Sequence, residues 1–164
     1  MSRLESMMRR LAAQKDGLEW AAARVETLAG DALEMGLGNG RSYDHLRQIL
    51  GTRRRIWVID RVLQCHPSCR PPAQDFLQGQ AAPMLAHLAA QDRRIVLAHY
   101  DFGAGVKADD VAEAAHLSPA IARIMHPQGL VVSAQPLVGF RAVAGPASVA
   151  SGRYFFYHPP RQAP

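Results

Sequence analysis

The sequence predicts an α/β fold in which helices cover both faces of a doubly wound, mostly parallel sheet. Residues 56–59 and 95–100 are near-continuous apolar segments, as expected for strands buried on both faces. Segments with helical periodicity separate the predicted strands, as the crossovers of a parallel sheet require. Gly36, Gly38 and Gly40 form a tight turn between the first strand and the next helix.

Length and composition indicate one globular domain. The chain has 164 residues, of which 48% are hydrophobic and 20% are charged, a balance typical of folded proteins. No apolar run reaches the ~18 residues that a membrane span needs, and the N-terminus lacks the pattern of a signal peptide. Cys65 and Cys69 are too few for a disulfide framework. We expect a cytoplasmic protein without membrane association.

The first 29 residues predict a helical extension. Two helices are expected, separated near Asp16 and Gly17, and each has one apolar stripe. The stripes consist of Leu4, Met7, Met8 and Leu11, and of Leu18, Ala21, Ala22, Val25 and Leu28. Packing on the sheet and a homodimer contact are both consistent with these stripes.

Five strands and a C-terminal antiparallel hairpin are predicted after this extension. The expected strands are 31–36, 55–60, 76–78, 95–100 and 129–134, and the hairpin joins 139–143 to 153–157. The expected helices are 42–50, 82–91, 108–116 and one that restarts at Ser118-Pro119 and runs to about 125. Pro67, Pro71 and Pro72 predict an irregular connection after the second strand. The predicted boundaries are 1–29 for the extension, 30–158 for the sheet domain and 159–164 for a flexible tail.

The glycine-rich turn has the composition of a loop that binds a nucleoside-bearing cofactor. Glycine lets the backbone turn sharply and approach a ligand, because no Cβ is in the way. Asp60 ends the second strand, 20 residues after Gly40, and a carboxylate there can accept both hydroxyls of a ribose. Ligands of open α/β sheets bind at the carboxyl ends of the strands, so the site is expected at that edge.

An acidic residue before G-x-G-x-G, and a second one ending the next strand, resemble the first two motifs of class I S-adenosylmethionine-dependent methyltransferases. Glu34, the three glycines and Asp60 carry this resemblance, which runs from about residue 33 to residue 157. It implies a Rossmann-like sheet, S-adenosylmethionine as the cofactor and methyl transfer as the activity. In small members of the family, an N-terminal helical extension can roof the substrate site.

The resemblance also implies roles for individual residues. Asp60 would bind the ribose, and Glu34 and Asp101 would accept hydrogen bonds from the methionyl ammonium. Gln80 stands near the position where the family usually reads the adenine with an aspartate, and Arg61 either stacks on the adenine or is solvated. The predicted cofactor-binding residues are Glu34, Gly36, Gly38, Asn39, Gly40, Asp60, Arg61, Gln80 and Asp101.

The end of the fourth strand carries the candidate catalytic residues. Asp101 follows the strand, and His99 lies two residues earlier and faces the same side. Both are general-base candidates, because histidine titrates near neutrality; alternatively, His99 belongs to the core and methyl transfer needs no base. The Asn-Pro-Pro-Tyr motif of the family's adenine and glutamine methylators is absent here, where residues 101–105 read Asp-Phe-Gly-Ala-Gly.

Other functions stay open at this point. A nicotinamide-dependent oxidoreductase is disfavoured by Arg41, which stands where that fingerprint has a third small residue. A non-catalytic S-adenosylmethionine-binding module and an RNA methyltransferase are further alternatives. A small-molecule acceptor is favoured, although 17 of the 19 basic residues are arginine and the net charge is +5.

Two local features argue against nucleic acid and against a metal. Arg53–Arg55 and Arg93–Arg94 precede predicted strands and so lie at the edge opposite the cofactor. Cys65, His66 and Cys69 lie within five residues, but no second Cys/His pair has zinc-like spacing. We therefore expect solvated arginines at that edge and no bound metal.

Overall fold

A seven-stranded sheet lies at the centre of the fold. The computed structural model describes residues 2–161. Its strands are β1 (Asp31–Met35), β2 (Ile56–Asp60), β3 (Phe76–Gln78), β4 (Ile95–Tyr100), β5 (Met125–Ser133), β6 (Arg141–Ala142) and β7 (Phe155–His158). Its helices are α1 (Arg3–Arg24), α2 (Arg41–Leu50), α3 (Ala81–Ala90) and α4 (Lys107–Ile124). Two 3-10 turns, Pro67–Cys69 and Ala73–Asp75, connect β2 to β3 and confirm the predicted irregular connection.

The strand order is β3-β2-β1-β4-β5-β7-β6. Pairing is parallel throughout β3-β2-β1-β4-β5, and β7 pairs antiparallel with both β5 and β6. These pairings confirm the predicted, mostly parallel sheet with its C-terminal antiparallel hairpin. Because β1 lies between β2 and β4, the strand order reverses at β1, and ligands of open α/β sheets bind outside the carboxyl ends at such a point.

Alternate residues of the strands pack against helices on opposite faces of the sheet. Leu33 and Met35 of β1 belong to a buried cluster that includes Leu85 of α3 and Ile121 of α4. Ala32, the residue before Leu33, belongs to a second cluster that α1 and α2 complete. The N-terminal helix therefore shares the core of the sheet. No helix in the described part of the chain is long and apolar enough to cross a membrane.

The N-terminal residues form one helix and not the two that were predicted. Ser2 and Glu5 start α1 with a reciprocal capping box, and the helix continues through Gly17. A Cβ on Gly17 would lie 2.9 Å from the ring of Phe156. The glycine therefore serves the close approach of α1 to the sheet, whereas the prediction treated it as a break.

We expect Gly17→Val to lower the free energy of unfolding by roughly 1–3 kcal/mol, because the new side chain overpacks the contact with Phe156. Urea denaturation measures this loss. Ala12→Val, at an exposed position of the same helix, is the matched control and should cost less than about 1 kcal/mol through helix propensity alone. Equal losses in the two variants would contradict a packing role for Gly17.

The predicted break at Ser118-Pro119 is also wrong, because α4 runs continuously through Pro119. The Ser118 hydroxyl donates to the Ala114 carbonyl at 2.7 Å and accepts from the Val138 N–H at 2.9 Å. These two bonds satisfy the hydrogen-bonding capacity of the buried Ser118 hydroxyl inside the helix. Ser118 therefore does not end the helix by bonding to its backbone N–H groups, as a capping serine would.

The C-terminal segment is anchored at its beginning. Pro159 is buried, and its carbonyl accepts from Arg141 Nε at 3.0 Å. Residues 162–164 of the predicted tail lie outside the described residues. At the other boundary, α1 ends at Arg24, before the predicted limit of the extension at residue 29.

Candidate active site

A cavity of about 460 Å³ lies at the carboxyl ends of β1, β2 and β4, beneath the N-terminal half of α1. Seven of the sequence-predicted site residues line it: Gly36, Gly38, Asn39, Asp60, Arg61, Gln80 and Asp101. Glu34, Gly40 and His99 do not line it. The α1 side contributes Met7, Arg10, Leu11 and Gln14, none of which was a predicted site residue.

Each of the three glycines of the loop has a different structural role. A Cβ on Gly36 would lie 2.8 Å from the Asp101 carbonyl, so this glycine lets the loop reach the end of β4. Gly38 has a left-handed φ of +49° and no atom within 4 Å of an added Cβ, so its backbone faces open space. Gly40 is covered by Cys69 and Cys65, whose Cβ atoms would lie 2.6 and 3.0 Å from its own.

Asp60 fastens the glycine loop to the end of β2. Its Oδ2 accepts the N–H groups of Leu37 at 2.7 Å and Gly38 at 3.2 Å, and its Oδ1 accepts the N–H of Val62 at 3.3 Å. A carboxylate offers about four lone-pair positions, so acceptor capacity remains on the side that faces the cavity. Asp60 can therefore hold the loop and a ligand hydroxyl together.

Asp101 receives three hydrogen bonds from distant parts of the chain. Arg10 donates to Oδ1 at 2.7 Å and Gln14 donates to Oδ2 at 3.0 Å, both from α1. The Tyr154 hydroxyl donates to Oδ1 at 3.3 Å from the segment before β7. The Asp101 carboxylate raises the pKa of Arg10, and burial raises the pKa of Tyr154. These bonds tie α1 to the end of β4.

Glu34 and His99 form a buried, hydrogen-bonded pair behind the cavity wall. His99 Nδ1 lies 2.9 Å from Glu34 Oε2, and the Ser42 hydroxyl donates to Glu34 Oε1 at 2.5 Å. Both side chains of the pair are fully buried. Burial lowers the pKa of His99 and the Glu34 carboxylate raises it, with a net increase.

Two of the predicted site residues therefore lie behind the cavity wall. The predicted contact of Glu34 with a cofactor ammonium does not fit a fully buried carboxylate that does not line the cavity and that pairs with Ser42 and His99. Proton abstraction by His99 does not fit a ring that is sealed from the cavity and bonded at both nitrogens. The strand alternation placed His99 and Asp101 on one side of the sheet correctly, but it carries no information about depth.

The segment after β2 packs against the glycine loop. Cys65 and Cys69 are free thiols that cover Gly40, and His66 N–H donates to the Asn39 carbonyl at 3.2 Å. No group of three or more His, Cys, Asp or Glu side chains within residues 2–161 is arranged to hold a metal ion. The segment is therefore part of the wall that supports the loop.

The arginine clusters lie at the amino ends of the strands, opposite the cavity, and contact the protein itself. Arg54 donates to the carbonyls of Val25 and Leu28 at 3.0 and 2.9 Å. Arg55 pairs with Asp75 at 2.7 Å. The other three arginines of the clusters form longer ion pairs, Arg53–Glu26, Arg93–Asp31 and Arg94–Asp92, at 3.5, 3.8 and 3.5 Å.

Comparison with known proteins gives a match over nearly the whole chain. The model of a family described as S-adenosyl-L-methionine methyltransferase matches residues 1–159. A crystal structure of an S-adenosyl-L-methionine methyl transferase from Silicibacter pomeroyi DSS-3 is 31% identical, with 97% of this chain and 99% of that chain covered and a TM-score of 0.91. No curated protein matches the chain.

Two more distant structures share the fold. An RNA methyltransferase from Salinibacter ruber, in complex with S-adenosyl-L-homocysteine, is 15% identical, covers 100% of this chain and 95% of its own, and has a TM-score of 0.50. A proposed O-methyltransferase from Klebsiella pneumoniae is 16% identical, with 77% and 61% covered and a TM-score of 0.53. At these identities the likeness concerns the fold alone, since one fold hosts many functions.

Proposed function

This chain belongs to the S-adenosyl-L-methionine methyltransferase family, and we propose that it transfers the methyl group of S-adenosylmethionine to a small-molecule acceptor bound beneath α1. The family match confirms the predicted enzyme class and cofactor. The observation that carries the proposal on the acceptor is the position of α1, which Arg10 and Gln14 hold over the cavity through Asp101.

The residues of the cavity suit this cofactor. S-adenosylmethionine presents a ribose diol and an ammonium, which are hydrogen-bond donors. Asp60 and Asp101 place carboxylates at the ends of β2 and β4, one for each donor group. Gly38 adds backbone that no side chain covers, so the loop can approach the nucleoside closely. Gln80 lines the same cavity, and its amide can accept a hydrogen bond from an adenine amino group.

When bound, the cofactor supplies an electrophilic methyl group on a sulfonium. The protein orients that group toward the acceptor's nucleophile and excludes water from the site. Orientation of this kind can by itself accelerate methyl transfer. Asp101 accepts bonds from Arg10, Gln14 and Tyr154, which suits a fixed anchor for the methionyl ammonium and not a base that takes up a proton in each turnover.

The remaining wall of the cavity is available to the acceptor. Met7 and Leu11 of α1 and Phe102 after β4 give it an apolar side, and Glu113 of α4 gives it one carboxylate. A volume of about 460 Å³ is within the range of small-molecule sites. Because cofactor and acceptor share this space under α1, a compact acceptor fits it better than a folded macromolecule.

The opposite edge of the sheet argues against RNA as the acceptor. A protein that binds nucleic acid through its phosphates needs free cationic side chains on the binding face. The arginine clusters face away from the cavity, and Arg54 and Arg55 are used by carbonyls and by Asp75. These five arginines therefore stabilise the amino edge of the sheet and do not contribute to the face of the cavity.

A methyl-transfer experiment tests the acceptor class. The protein is incubated with methyl-labelled S-adenosylmethionine and, separately, with the low-molecular-mass ultrafiltrate and the total RNA of a bacterial extract. We expect label to enter a compound of the ultrafiltrate and not the RNA. A double variant, Arg53→Gln with Arg94→Gln, removes two exposed charges of the amino edge and should leave transfer unchanged. Transfer to RNA that falls steeply with salt would overturn the proposal.

A further inference from the structure

Gln14 is a buried polar residue on the apolar side of α1. Its side chain lies between His99 and Asp101. One atom makes both contacts: Gln14 Nε2 is 3.4 Å from His99 Nε2 and 3.0 Å from Asp101 Oδ2. The cavity that we assign to the cofactor lies on the Asp101 side of this residue, and the buried Glu34–His99 pair lies on the other.

This arrangement fits one protonation state of His99. An amide nitrogen is a donor only, so the His99 Nε2 that faces it must accept. The proton of the neutral ring then sits on Nδ1, which donates to Glu34 Oε2 at 2.9 Å. Glu34, His99, Gln14 and Asp101 thus form one unbroken chain of hydrogen bonds in which every donor has an acceptor.

A proton added to His99 is incompatible with the same chain. His99 Nε2 would become a donor and would face the donor Nε2 of Gln14. The Gln14 amide would have to turn so that its oxygen accepts from the imidazolium. That oxygen would then lie about where Gln14 Nε2 now lies, 3.0 Å from Asp101 Oδ2. Two acceptors would face each other there, so the hydrogen bond from Gln14 to Asp101 would be lost.

We propose that Gln14 is a positioning residue of this active site, and that protonation of His99 turns its amide away from Asp101 and loosens α1 over the cofactor. Arg10 then remains as the tie from α1 to Asp101. The effect on cofactor binding rests on the proposed function, whereas the response of α1 to His99 does not.

Several groups set where His99 titrates. Glu34 of β1 faces its Nδ1, and Gln14 and Arg10 of α1 lie on the Nε2 side with Asp101. Tyr154 stacks on the ring with centroids 6.2 Å apart. Burial and Arg10 lower the pKa of His99, and Glu34 and Asp101 raise it, so that it lies above its ordinary value near 6.5. His99 therefore becomes protonated at a higher pH than an ordinary histidine.

The test follows α1 and His99 in the free protein between about pH 6 and pH 9. Nuclear magnetic resonance reports the His99 ring and the Gln14 amide, and hydrogen exchange reports the protection of α1. His99→Asn can keep the donor to Glu34 and cannot titrate, and Gln14→Met removes the amide and leaves the Glu34–His99 pair intact. We expect protection of α1, corrected for the intrinsic rate, to fall in the wild type as His99 becomes protonated and to be flat in both variants.

Cofactor affinity gives the second measurement. Titration calorimetry with S-adenosylhomocysteine should show an affinity that is about 3- to 10-fold weaker when His99 is protonated, after subtraction of the pH dependence of the Gln14→Met variant. The proposal would be overturned if neither the Gln14 amide resonance nor the exchange protection of α1 changed as His99 titrates. Absence of any S-adenosylhomocysteine binding would instead refute the proposed function, because the resonance and exchange results do not depend on the cofactor.

Discussion

Asp60→Asn should weaken the binding of S-adenosylhomocysteine by roughly 10- to 150-fold, which corresponds to the loss of hydrogen bonds to a charged acceptor worth about 1.5–3 kcal/mol. The carboxylate has two tasks in the structure. It accepts the N–H groups of Leu37 and Gly38, and it faces the cavity where the ribose is proposed to lie. An amide at this position has one acceptor oxygen, so both tasks cannot be kept.

Titration calorimetry measures the loss. Asp92→Asn is the matched control, because Asp92 is an exposed carboxylate at the amino edge with a positive φ that asparagine tolerates. Unchanged affinity in both variants would show that the ribose is held elsewhere, while reduced affinity in both would indicate a general effect of charge. Circular dichroism should show the same fold in each variant.

His99→Leu should lower the free energy of unfolding by about 3–5 kcal/mol, because removal of one partner leaves the Glu34 carboxylate buried without its cation or donor. For a chain of this length, the midpoint of thermal unfolding should fall by roughly 6–20 °C. Calorimetry or urea denaturation near neutral pH measures the change. The size of the effect follows from full burial: the same pair at the surface would contribute about 1 kcal/mol or less.

The comparison with His99→Asn separates charge from packing. Asparagine can still donate to Glu34, so its loss should be clearly smaller, although it fills less space than the imidazole. A leucine variant as stable as the asparagine variant would mean that Glu34 takes up a proton at little cost when His99 is absent. In that case the pair would matter for the arrangement of Gln14 and Ser42 and not for stability.

The sheet could be predicted because its signals are local. Buried parallel strands are short apolar runs, and β2 and β4 were found from such runs within a residue or two of their observed bounds. The errors arose at Gly17 and Pro119, where a residue that usually ends a helix is kept inside one. In each case a tertiary contact keeps the helix continuous: Gly17 packs against Phe156, and Ser118, beside Pro119, accepts from the Val138 N–H. Local helix propensity carries no information about such contacts.

The site was predictable to the same extent. Asp60 and Asp101 were expected at one site, because Asp60 ends one parallel strand and Asp101 follows another at the same edge of the sheet, and both line the cavity. Arg10 and Tyr154 lie far from them in the sequence, and nothing local marks them. Gln14 did offer a signal, since a polar residue interrupts an apolar helix side between Leu11 and Leu18, and a buried polar side chain requires a partner.

The ties on Asp101 also constrain the order in which the protein can mature. Arg10 is 91 residues before Asp101, and Tyr154 is 53 residues after it. Contacts that close such long loops form late, because the entropy of the intervening chain must be lost first. The α1 side of the cavity is therefore completed only when nearly the entire polypeptide has been synthesised and folded. A nascent or C-terminally shortened chain would have the parallel strands without the closed cavity.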